Sequence, residues 1–102
     1  MKIRIKKHTG IRKRNIFGKP VEIETYYTLD KCVLGFMPIG EYYFHYCNLR
    51  TMLKELQENK FYTIFVSVYK NSGTHFDTLE DAIFVRRCIY KYPDKFIKNK
   101  IV

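Results

Sequence analysis

A chain of 102 residues has room for one hydrophobic core, so a single domain over 1–102 is expected; 46% hydrophobic and 28% charged residues exclude a disordered polymer. The 19 Lys and Arg against 10 Asp and Glu leave a net charge of +9, and nine Tyr with eight Phe and no Trp imply a core built on rings. No apolar stretch reaches the roughly eighteen residues a membrane-spanning helix needs and none near the start resembles a secretion signal, so a cytoplasmic protein without membrane association is expected.

The charge is segregated. Lys2, Arg4, Lys6, Lys7, Arg12, Lys13, Arg14 and Lys19 give the first twenty residues eight cations and no acid, whereas residues 21–90 come to −2 and 91–102 to +3. A localised excess of this kind concentrates and steers anionic partners, of which nucleic acid is the commonest.

In chain order, residues 2–6 alternate Lys2, Arg4 and Lys6 with Ile3 and Ile5, the period of a strand with one wet face. Gly10 and Gly18-Lys19 flank a basic stretch, Ile11 to Phe17, that turns the chain back. Val21, Ile23, Thr25, Tyr27 and Leu29 alternate with Glu22, Glu24, Tyr26 and Thr28 in a second strand. A third short strand is expected from Cys32 to Met37, ended by Pro38 and Gly40, and a fourth over Tyr42–Cys47. Asn48 is a good N-cap, and Leu49, Met52, Leu53 and Leu56 recur at helical spacing, which predicts a helix to Asn59. Phe61 to Tyr69 is β-branched and aromatic and reads as a central strand, followed by a turn at Asn71-Ser72-Gly73. Thr78, with Glu80 and Asp81 behind it, starts a second helix whose core stripe is Ala82, Val85 and Ile89 and whose stop is Pro93.

Two stretches share a further pattern. Gly10-Ile11-Arg12-Lys13-Arg14 with Gly18-Lys19 and Val21-Glu22-Ile23, and Gly73-Thr74-His75-Phe76-Asp77-Thr78-Leu79-Glu80-Asp81-Ala82, resemble the opening and close of an AP2-like DNA-binding module of the integrase-arm type. The resemblance implies that Arg12, Arg14 and Lys19 occupy DNA-contacting positions, while Phe76, Thr78 and Ala82 join the last strand to its helix. The sequence departs from the family at Pro20, where Trp is usual, and in the long interval between the two stretches.

Other constellations have simpler readings. Cys32, Cys47 and Cys88 fit no disulfide framework or C-x-x-C metal motif, and with His45 and His75 they read as free, buried thiols and ordinary histidines. A Cys–His nucleophile has no motif to supply an oxyanion site. Glu22 and Glu24 read as a solvated row facing the cations of the first strand. The rings of Tyr42 to Tyr46 are either a stacking surface for bases or alternating core and cover. No phosphate-cradling glycine loop occurs, so no nucleotide-binding loop is indicated. With no catalytic motif or metal-ligand spacing either, the expectation is a protein without cofactor or catalysis.

The expected fold is α+β, a mainly antiparallel sheet of four to six strands with two helices on one face and the basic N-terminal residues on the other. The expected function is binding of nucleic acid, duplex DNA foremost, with Lys2, Arg4, Lys6, Lys7, Arg12, Lys13, Arg14 and Lys19 on phosphates; any base reading falls to Arg12 and Arg14. The alternative is a non-enzymatic phage or mobile-element protein that binds and inhibits a host protein, consistent with heavy use of residues with AT-rich codons.

Overall fold

The structure, a computed structural model, describes residues 2–98. Five strands form one sheet in the order β1 (Lys2–Arg14), β2 (Pro20–Val33), β3 (Met37–His45), β4 (Ile64–Tyr69) and β5 (Phe96–Lys98). All neighbours are antiparallel except β4 and β5. The helices α1 (Leu49–Gln57) and α2 (Leu79–Lys91) lie together on one face, which makes the fold α+β.

β2 and β3 pair only from Asp30 and Glu41 to the turn at Val33 and Met37, then diverge. A sixth extended segment fills the opening: Phe76 exchanges two 2.8 Å backbone hydrogen bonds with Tyr27, and the Thr74 amide donates to the Tyr42 carbonyl at 2.9 Å. Phe76 is wholly buried there, against the edge of the Phe44 ring. Gly73 lets this segment run close to β3, because a Cβ at that position would collide with the Glu41 side chain.

The caps follow the sequence. The Asn48 side chain accepts from the Thr51 amide at 2.7 Å, and the first helix gives way to Asn59 in the left-handed region at φ 54°. The Thr78 hydroxyl accepts from the Asp81 amide at 3.2 Å, with Glu80 and Asp81 in the first turn. Met52 and Leu56 of α1 and Ala82, Val85, Cys88 and Ile89 of α2 then close over Ile3, Leu29, Tyr42, Phe44, Ile64 and Val66.

Three expectations are corrected, and one strand, β5, is unannounced by the sequence. No separate strand spans Cys32–Met37: β2 continues to Val33, Leu34 (φ 54°) and Gly35 (φ 79°) make the turn, and Pro38 lies inside β3 beside a register shift, where the missing amide is tolerated. β1 runs on to Arg14, because the basic stretch pairs with β2 instead of looping. β4 begins at Ile64, since Phe61 is a core ring packed edge-on to Tyr92 at 5.5 Å. β5, with three residues, is too short to show a period. Lys100, counted in the basic C-terminal stretch, lies outside the described residues.

Candidate functional site

Alternation along β1 turns Ile3 and Ile5 toward the helices and leaves Lys2, Arg4, Lys6 and His8 on the opposite face, across from Cys32, Asp30, Thr28 and Tyr26. β3 and β4 sort in the same way. Tyr42, Phe44, Ile64 and Val66 enter the core, whereas Glu41, Tyr43, His45, Phe65, Ser67 and Tyr69 face away from the helices. Burial pushes the inward Tyr42 phenol up to about 12, so it stays neutral.

On the outward face, four polar residues are buried under their neighbours: Thr28, Asp30, Glu41 and Ser67. Thr28 and Asp30 are linked to each other and, through His8, to Glu41. The Thr28 hydroxyl donates to Asp30 Oδ1 at 3.0 Å, and since it has only one proton, His8 Nε2, 2.8 Å from Thr28 Oγ1, is the donor to that hydroxyl. Glu41 Oε1 accepts from the Gly73 amide at 2.9 Å, and Oε2 is 3.8 Å from His8 Nε2, an ion pair whenever the imidazole is protonated. Burial raises the Asp30 carboxyl pKa, and Glu41 adds to this. The Thr28 hydrogen bond, Lys6 and Arg4 oppose the shift without cancelling it. Part of the field of Arg4 and Lys6 is therefore directed at a carboxyl beneath them.

All three histidines of the chain collect on this face. The Tyr26 ring is stacked between His8 at 4.6 Å and His75 at 3.9 Å. His45 Nε2 is 2.6 Å from the Ser67 hydroxyl, and the Tyr43 ring meets His45 and Tyr69 edge-on. The ring series Tyr42 to Tyr46 is thus divided, with Tyr42 and Phe44 in the core and Tyr43 and His45 outside.

Beyond the His8–Tyr26 pair the first hairpin leaves the helices. Every side chain described between Thr9 and Thr25 is exposed, and six residues of paired strand, about 20 Å at ~3.3 Å per residue, separate that pair from the last one, Arg14 opposite Pro20. Arg12 stands at a bulge between Ile11 and Lys13, and Glu22 lies opposite Lys13. Along one side of this arm Ile11 faces Ile23, with Val21 next on the same side, and all three are about half exposed. The tip is braced by hydrogen bonds. Asn15 Oδ1 accepts from the amides of Phe17 and Lys19 at 2.9 Å, the Asn15 amide donates to the Lys19 carbonyl at 2.9 Å, and Arg14 Nη1 donates to the Gly18 carbonyl at 2.8 Å. Gly18 at φ 78° allows the turn, which holds Ile16 and Phe17 in solvent at 93% and 80% exposure.

The eight basic residues named from the sequence therefore fall into two groups. Lys2, Arg4 and Lys6 form a row on the helix-free face, and Arg12, Lys13, Arg14 and Lys19 belong to the arm. Lys7 joins neither, because the two-residue period turns it to the helix side, opposite Tyr27. Cys32 and Cys88 are buried, with the Cys88 thiol pushed up by burial, but Cys47 is exposed between β3 and α1. Among the described residues, no group of three His, Cys, Asp or Glu is placed to hold a metal, and no helix is long and apolar enough to cross a membrane.

The sequence reading missed His8, Thr28, Asp30, Glu41, Ser67 and His75 as neighbours. His8 could have been found, since it continues the Lys2, Arg4, Lys6 period. Asp30 and Glu41 are brought together by the pairing of β2 with β3, and His75 is added by the late segment entering where those strands diverge, which no local pattern announces. No protein family, no curated protein and no solved structure matches the chain.

Proposed function

We propose that this protein binds nucleic acid, with duplex DNA as its principal ligand, through the helix-free face of β1 and the hairpin arm that continues it. The observation that carries this reading is the gathering of two groups of cations on one hairpin. Lys2, Arg4 and Lys6 succeed one another at intervals of about 7 Å on one face, and the same two strands take Lys13, Arg14 and Lys19 out beyond the helices. A two-stranded ribbon is a form in which proteins enter the major or the minor groove. The AP2-like resemblance of residues 10–23 to a DNA-contacting hairpin points the same way. Because Arg14 gives one Nη to Gly18, its fork is partly engaged, and the arm is better suited to phosphates than to bidentate base reading by that residue.

The test is a charge-removal series. Lys2, Lys6, Lys13 and Lys19, all replaced by Gln, should weaken binding to a labelled duplex at least about a hundredfold at low salt, because four phosphate contacts are lost. Replacing Lys54, Lys60, Lys91 and Lys95 in the same way should change it only a few-fold. Equal effects of the two sets would remove the assignment to the arm and row. A second reading, capture of a host protein, is favoured by the half-exposed Ile11, Val21 and Ile23 along the arm. It takes over if neither set of changes alters duplex affinity.

A further inference from the structure

The tip of the arm has a feature that phosphate binding does not use. Ile16 and Phe17 are its most exposed apolar side chains, and they are presented by a turn whose backbone is held by the Asn15 side chain, the Asn15–Lys19 pairing and the Arg14–Gly18 contact. A loose loop would let two such residues fold back onto Ile11, Val21 and Ile23. This one holds them outward. Their setting is cationic, with Lys13, Arg14 and Lys19 within four residues and no acid before Glu22.

An apolar pair at the end of a basic ribbon has the chemistry of a wedge for stacked bases. The cations hold the phosphates on either side while the ring and the branched chain replace one stacking contact and bend the duplex away. We propose that Ile16 and Phe17 insert between adjacent base pairs, so that the protein kinks the DNA it binds and selects steps that unstack easily. This inference rests on the nucleic-acid reading above and specifies how that same arm engages its ligand. Because the brace is made by Arg14, Asn15, Gly18 and Lys19, the wedge is set before binding, which limits the ordering cost on association.

The experiment uses two duplexes of the same sequence, one fully matched and one with a central mismatch, each with 2-aminopurine beside the central step. With the native protein, 2-aminopurine fluorescence should rise severalfold at saturation. The mismatched duplex should bind about tenfold more tightly, since unstacking a weakened step costs less. Phe17→Ser should abolish the rise and bring the preference within about twofold while leaving the salt dependence of binding intact, and Phe17→Leu should retain most of both. Both residues are solvent-exposed, so the variants keep the fold.

Binding with no fluorescence rise and equal affinity for the two duplexes overturns the wedge but leaves the electrostatic reading standing. Failure to bind either duplex overturns both. Vesicles of phosphatidylcholine with phosphatidylserine provide the competing case. If the native protein partitions onto them and Phe17→Ser does not, while duplex binding is the same for both proteins, the tip is a lipid anchor and the wedge is overturned.

Discussion

The same hairpin has two different lives along its length. Near its base, Ile3, Ile5, Tyr27 and Leu29 point toward α2 and belong to the core or pack on it. Ten to twenty ångströms further out, at ~3.3 Å per residue, Ile11, Val21 and Ile23 occupy the same alternating positions but stand about half exposed, with no helix over them. The residue types are alike and the periodicity is unbroken across the two regions. What differs is whether a helix lies above them. Amphipathic alternation thus identifies which side of a strand is apolar but not whether that side is covered, and apolar surface left uncovered on an arm is a mark of interaction.

The largest expected contrast comes from truncating one apolar residue in each region. Phe76→Ala empties a wholly buried site between β2 and β3 and should cost about 3–5 kcal/mol in denaturant unfolding, whereas Ile23→Ala in the arm should stay within about 0.5 kcal/mol. Similar losses at both sites would mean that the arm packs on the body. Thr78→Ala removes the hydroxyl that accepts the Asp81 amide and should cost about 1 kcal/mol, with duplex affinity of the folded variant unchanged because α2 lies on the far side of the sheet. A loss of affinity without a loss of stability would place the interface on the helix side.

The smallest effect tests the buried charge under the basic row. The Asp30 carboxyl has its folded-state pKa raised by burial and by Glu41, so the native state holds this proton more tightly than the unfolded chain. Its influence therefore favours folding at acid pH and is lost as the pH rises from the ordinary carboxylate range through the raised value. Asp30→Asn, whose side-chain oxygen can still accept from Thr28, should raise the melting temperature at pH 7 and flatten its pH dependence in that window. Removing a negative charge from beneath the basic row should also raise duplex affinity about threefold, the order expected of one screened charge. A melting temperature that falls at neutral pH would show that Arg4 and Lys6 outweigh the burial.

Much of the body was legible in the sequence. Asn48 and Thr78 announce their helices because capping is local, and Ile3 and Ile5 announce a buried face because alternation is local. The helix-free site was legible only in part. Lys2, Arg4 and Lys6 could be seen to share a face, but Asp30, Glu41 and His75 come from three separate stretches: the first two meet in the β2–β3 register, and His75 arrives when residues 74–76 wedge between the strands where they diverge. The length of the arm was hidden for a different reason: a run such as Ile11-Arg12-Lys13-Arg14 looks like a loop until its partner strand and its bulge are known.

The central claim is that the cations of β1 and the arm act together on phosphates, and the most direct measurement of it is duplex affinity as a function of salt. Titrating the purified protein against a labelled duplex of about twenty base pairs should give a log–log slope of about −4 to −6, the release expected for about five to seven phosphate contacts. A slope shallower than about −1, or no binding of duplex, hairpin or single strand at about 50 mM salt and micromolar protein, would contradict it.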